Sequence, residues 1–142
     1  MNNQCEFVST IFYFCFTLAM LIPASGSAAQ EKMSAAEIRE LLPSNTLSGS
    51  NEKRIIVHVY HDPAGTMAGM TRRQGMHFDS GNWTITDEDQ YCQQWNRWRA
   101  KALGCFHIYR LGNNKYRLKS VTGQYDSRFK FREGNPEGLK VY

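Results

Sequence analysis

The sequence lacks an apolar run of bilayer-spanning length. Its apolar core, Ile11 to Ile22, holds 12 residues without a charge, against the roughly 18 to 20 that a spanning helix needs. It lacks Lys and Arg ahead of that run, where only the α-amino group is positive and Glu6 is negative. No Cys follows the small-residue stretch after the run, which argues against a lipoprotein. No C-x-x-C is present, so the cysteines do not form a redox motif of that kind. G-x-S-x-G, H-E-x-x-H and the phosphate loop are all missing, which removes the common hydrolase, zinc-protease and nucleotide signatures. There is no internal repeat, no low-complexity segment and no helical pattern between the strands.

What is present begins with an export signal. The apolar run is followed by Pro23 and then Ala24-Ser-Gly-Ser-Ala-Ala29, the pattern of a secretory signal peptide. Residues 1–29 are expected to be removed, with cleavage after Ala29 or after Ala28, and 30–142 to form one domain. An uncleaved anchor is the competing reading. The expected location is periplasmic or secreted. Lys and Arg number 17 against 13 Asp and Glu, a net charge of +4. Losing Glu6 with the leader makes the balance one unit more positive. That charge favours solubility and attraction to anionic surfaces. It does not call for nucleic acid, and export argues against it.

Cys5 and Cys15 leave with the leader, so Cys92 and Cys105 are the pair that remains. An oxidising compartment favours a disulfide between them. The closed loop of about 14 residues is worth about 3 kcal/mol in the chain-entropy model.

The expected fold is mainly β: an antiparallel meander forming a strongly bent sheet or small barrel, with one N-terminal α-helix over about 34–42. Ser34 and Glu37 have capping-box spacing, Ile38, Leu41 and Leu42 recur at helical spacing, and Pro43 ends the run. Residues 44–51 read as a loop or short edge strand. From 54 the period changes to two, giving strands over 54–60, 66–71, 73–79, 82–86, 90–95, 105–110, 115–119 and 127–132. Asp62-Pro-Ala-Gly65 and Ser80-Gly81 read as punctuation between strands. Gly112-Asn-Asn114 joins the clearest hairpin. A two-residue loop there places Cys105, His107 and Tyr109 on one face with Tyr116 and Leu118, assigned to the core. It places Phe106, Ile108 and Arg110 with Lys115, Arg117 and Lys119 outside.

Taken in order, the Ser34–Leu42 helix, Asn45-Thr-Leu-Ser-Gly49, Pro63 to Thr66, Gly81-x-Trp83, Cys92-x-x-Trp95 and Cys105 resemble the small exported proteobacterial proteins of domain-of-unknown-function family 995. The resemblance covers roughly 34–120 and implies export and a β fold. It implies no activity. That family's turn carries Asp before its Gly; Ala64 stands there, so no carboxylate role transfers. A lipocalin-like barrel is a fold analogy only.

Three binding chemistries are written in the residues. Lys115, Arg117 and Lys119 alternate with Tyr116 and Leu118, and Arg128, Lys130 and Arg132 alternate with Phe129 and Phe131. With Arg110, these cations would suit an anionic envelope component or another envelope protein; the bland alternative is a solvated outer face. Trp83, Tyr91, Trp95, Trp98 and Tyr109 could line a ligand cavity, with Arg97 or Arg99 as anion anchor, or simply fill the core. His58, His61, Met67, Met70, Met76 and His77 have ligand chemistry that suits copper. His58 and His61, three apart, face opposite ways on one strand, and Met also fills cores. No cofactor is called for. Asp87-Glu-Asp89 reads as a solvated turn, and His107 as a hydrogen-bonded core residue rather than a base. The leading expectation is an envelope interaction module, followed by a small-ligand or metal-binding barrel, with an enzyme third.

Overall fold

The computed structural model describes residues 30–50 and 53–141. The expected signal peptide lies outside the described residues. The chain first adds a short strand, β1 (Glu31–Lys32), to the outside of a later one. The helix α1 (Ala35–Leu41) follows. Its capping box is complete: the Ser34 hydroxyl accepts from the Glu37 N–H, and Glu37 accepts from the Ser34 N–H at 2.8 Å. Ile38 and Leu42 are fully buried, together with Met33 just before the helix. Burying a side chain of that kind is worth about 1.5–3 kcal/mol.

Eight antiparallel strands then close into a barrel. They are β2 (Asn45–Ser50), β3 (Ile56–His61), β4 (Thr66–Arg72), β5 (Met76–Ile85), β6 (Tyr91–Trp95), β7 (Gly104–Gly112), β8 (Lys115–Ser120) and β9 (Asp126–Glu133). Each pairs with the next, and β9 returns to β2. Closure removes the unpaired edges that an open meander would expose.

Four expectations are corrected. Residues 45–50 are no edge strand: β2 pairs on both sides and closes the barrel. Ser80-Gly81 does not punctuate, because β5 runs straight through it for 10 residues. Gly81 is there for close approach, since a Cβ would run into the Gln94 carbonyl on β6. The third correction concerns the hairpin. Asn113 and Asn114 form the expected two-residue loop with positive φ, and Gly112 pairs with Lys115. The register then shifts between Arg110 and Gly112, leaving Leu111 as an extra residue. That bulge turns the rest of β7 over. Phe106 and Ile108 face the core with Leu118, and Cys105, His107 and Tyr109 face outward. Arg110, paired with Tyr116, is therefore not on the basic outer face. The last correction is His107: it is half-buried outside the barrel, its Nδ1 3.3 Å from the Asp89 carbonyl.

Cys92 and Cys105 are directly opposite across β6 and β7 and form a disulfide, with S–S 2.08 Å and Cα–Cα 4.0 Å. The bond stands at the base of the connection that leaves β6 and returns in β7.

The helix and the 86–90 turn sit at the same end. Asp89 accepts from the Ala35 N–H at 2.7 Å and pairs with Lys32. The Ala35 N–H and Lys32 hold the Asp89 carboxyl below its usual range. Arg110 pairs with Glu37 at 3.1 Å, which joins β7 to the helix. This end of the barrel is stoppered by the helix.

Candidate functional site

The opposite end is open. The connections there are 51–55, 73–75, 96–103 and 121–125. Between them lies the mouth of a cavity of about 440 Å³ inside the barrel. Strand alternation supplies its walls. Val57 and Val59 of β3, Leu47 of β2 and Thr71 of β4 line one side; Phe106, Leu118 and Phe129 line the other. Tyr91, Gln93 and Trp95 project from consecutive inward positions of β6.

The mouth is shaped by a 3-10 turn, Trp98–Lys101. Trp98 packs on Trp95 with ring centroids 4.6 Å apart. Both rings lie over Gly69, where a Cβ would meet them at 2.5 and 2.6 Å. A side chain there would displace the two indoles. Asp79 holds the turn in place: its carboxylate accepts from the backbone N–H of Arg97 at 2.9 Å and of Trp98 at 2.7 Å. Burial pushes that carboxyl up, but the N–H donors of Trp98, Arg97 and Ser80, with the Arg97 side chain, outweigh it and hold it low. Arg99, Ala100 and Lys101 then run through three positive-φ positions. Such a run is costly for side-chain-bearing residues and aims Arg99 back across the mouth. Its guanidinium sits 5.4 Å from the Phe106 ring centroid, a cation–π arrangement. It has no carboxylate partner among the described residues.

The inner polar groups are neutral. His61 is fully buried, and burial lowers its pKa to about 4. Its Nδ1 lies 3.3 Å from the Asn45 carbonyl, which can only accept, so Nδ1 carries the proton. Nε2 then accepts from the Tyr91 hydroxyl at 2.8 Å. Burial pushes the Tyr91 phenol upward. The Gln93 side-chain amide lies 3.2 Å from the same phenol oxygen; with the phenol proton committed to His61, the amide NH2 is the group that can donate there. Ser127 sits on β9 between Tyr125 and Phe129, two cavity-lining residues. Its hydroxyl is buried without a hydrogen-bond partner among the described residues.

Of the five aromatics proposed from sequence, Tyr91, Trp95 and Trp98 come together at the cavity. Trp83 points inward but belongs to the closed end, donating its Nε1–H to the Thr66 carbonyl at 2.8 Å and packing edge-on against His61. Tyr109 is outside, opposite Arg117, because of the bulge. Of the two arginines, Arg99 reaches the mouth, while Arg97 is engaged with Asp79 and with the Phe78 carbonyl. Gln93 was missed in the sequence although Tyr91-x-Gln93-x-Trp95 puts it in phase with two inward aromatics.

The copper set does not converge. His61 pairs with Met67 inside the barrel, whereas His58 pairs with Met70 outside and hydrogen-bonds Ser48 at 2.9 Å. Met76 and His77 are exposed at the start of β5. The six wall cations, Lys115, Arg117 and Lys119 with Arg128, Lys130 and Arg132, do lie on neighbouring strands. Two are already engaged: Arg117 pairs with Asp126 and Arg132 with Glu137. Arg110 turns to Glu37 and Glu31 at the closed end.

A second recess, of about 640 Å³, lies outside the barrel beneath residues 137–140. Asp79 is satisfied there by the 97–98 amides and Asn96 by the Ser80 hydroxyl at 3.0 Å, while Glu137, whose Oε1 meets Arg132, keeps a buried Oε2 without a hydrogen-bond partner among the described residues. The interior cavity differs in being walled mainly by apolar and aromatic side chains, with Arg99, which has no carboxylate partner among the described residues, at its mouth. No family model matches the chain, and no curated protein or solved structure is significantly similar to it.

Proposed function

We propose that the chain is an exported binding protein whose barrel holds a small amphipathic organic molecule: an apolar or aromatic body inside, an anionic end at the mouth. The observation that carries this reading is the interior cavity of about 440 Å³ with Arg99 unpaired at its opening. That size and an apolar lining with few polar groups are typical of small-molecule sites. His61 and Tyr91 are neutral and Gln93 offers only an amide, so the inner end favours a neutral part of the ligand and the mouth favours the charge. The disulfide and the leader fit an oxidising, extracytoplasmic setting, as does the resemblance to exported family 995. An envelope module acting through the wall cations ranks lower, because two of them are neutralised within the fold.

The test uses 1-anilinonaphthalene-8-sulfonate, an aromatic anion, and calorimetry on the folded, oxidised chain. Saturable binding at one site is expected. Val57→Trp, which fills the mouth, should abolish it, and Arg99→Gln should weaken it about tenfold by removing a charge-assisted contact. A chain with native stability that takes up no probe, or a probe insensitive to both substitutions, would overturn the reading.

A further inference from the structure

Among the described residues, five large apolar side chains remain exposed: Ile56, Met76, Phe78, Leu103 and Val121. Four of them belong to one end of the barrel. Ile56 pairs with Arg72, and Arg72 with Met76, across β3, β4 and β5. Leu103 precedes β7 and Val121 follows β8, its paired neighbour, with the Val121 N–H donating to the Cys105 carbonyl at 3.0 Å. Ile56 and Met76 stand on the outer face at this end of the barrel, in phase with His58 and Met70, and Leu103 and Val121 belong to its connections. They are 40% exposed at Ile56, 59% at Met76, 63% at Leu103 and 50% at Val121.

Cations stand between them. Arg54, Arg72, Arg73, Arg99 and Lys101 are all exposed. None has a carboxylate within ion-pair distance among the described residues. In the sequence of the four connections at this end Glu52 is the one acid, against Lys53, Arg54, Arg73, Arg97, Arg99 and Lys101. Asp79 and Asp126, on β5 and β9, pair with Arg97 and Arg117.

We propose that this rim docks onto the surface of an anionic lipid bilayer, with the cavity mouth facing the lipid. Apolar side chains at strand ends and on connections of one end, among Arg and Lys, match an interface in which short side chains enter the headgroup boundary and cations stay with the phosphates. A protein partner would call for an apolar core patch with few charges, whereas here Arg72 stands between Ile56 and Met76, and Leu103 and Val121 belong to other connections. Docking in this pose would let an apolar molecule move between bilayer and barrel without crossing water. That last step rests on the ligand-binding reading; the docking surface does not.

The experiment is co-flotation of the oxidised chain with vesicles of phosphatidylcholine alone or phosphatidylcholine with phosphatidylglycerol, at low and high salt. Binding is expected only to the anionic vesicles and should weaken with salt. Arg72→Glu with Arg73→Glu should lower partitioning by at least about thirtyfold, since even removing two cations costs that much. Met76→Ser with Leu103→Ser should lower it further at high salt, where the apolar contribution dominates. Lys115→Glu with Lys130→Glu, on the barrel wall, should change it little. Val57→Trp should still dock, which separates this proposal from the cavity reading. The proposal is overturned if the wild-type chain fails to float with anionic vesicles, or if the wall variant loses as much binding as the rim variant. It is also overturned if the rim captures an acidic protein but not the vesicles.

Discussion

At the helix-capped end the barrel buries Met33, Ile38 and Leu42 and binds its charges in pairs: Lys32 with Asp89, Arg39 with Asp87, Arg110 with Glu37. At the open end Ile56, Met76, Leu103 and Val121 stay in water, and Arg72, Arg73, Arg99 and Lys101 have no carboxylate among the described residues. The same eight strands make both ends. The difference comes from what the connections carry. Acidic residues, a capping box and a buried His–Tyr pair close one end; three positive-φ residues, two indoles packed at a tilt and the Arg99 guanidinium over Phe106 shape the other. Interactions satisfied within the chain serve stability, and the groups left without partners among the described residues are the ones on which the binding proposals rest.

The sharpest way to break this contrast is to truncate the stopper. Ile38→Ala should destabilise the fold by about 2–5 kcal/mol, as large-to-small core changes do, read as a shift in the urea midpoint. Leu103→Ala at the open end should stay within about 0.5 kcal/mol. Equal losses at both ends would mean that the rim is structural.

Next comes pH. His61 stays neutral in the fold down to about 4, against an ordinary value of 6.5. Between those values the unfolded chain binds the extra proton, so stability falls as pH drops. The full loss is about 3 kcal/mol, measured by urea titrations across that window. His61→Gln should lower stability at neutral pH but remove most of this slope. A slope unchanged by the substitution would move the acid sensitivity elsewhere.

The disulfide has a comparable effect of about 3 kcal/mol in the chain-entropy model. Because it stands at the base of the 96–103 connection, Cys92→Ala with Cys105→Ala should also speed amide exchange in that connection more than in the helix. Uniform acceleration would show that the bond serves the whole barrel and not the mouth. The smallest effect belongs to the cap: Ser34→Ala should cost about 1 kcal/mol and leave probe binding untouched.

Much of the architecture is legible in the residues. Ser34 and Glu37 announce the helix, and the period of two from 54 onward announces the strands. The positions of Cys92 and Cys105, once a leader is set aside, announce the crosslink. The cavity is only partly legible. Tyr91, Trp95, Trp98 and Arg99 stand out as aromatic and cationic, but Val57, Thr71 and Leu118 are ordinary strand residues until opposite walls face each other. Tyr109 and His107 were placed on the wrong side for one physical reason. Alternation fixes each side chain relative to its strand neighbours, and a single extra residue at Leu111 reverses the whole strand.

The sequence by itself therefore determined the local facts: a capped helix, a meander of strands, a two-residue Asn-Asn turn and a cysteine pair close enough to join. Those follow from propensity, periodicity and short-range spacing. The tertiary structure alone decided that β2 and β9 pair, that the helix stoppers one end, and that Arg99 lies over an open cavity. These depend on contacts between distant segments, such as Asn45 with Glu133 and Ala35 with Asp89, and no local pattern encodes which distant surface a side chain will meet.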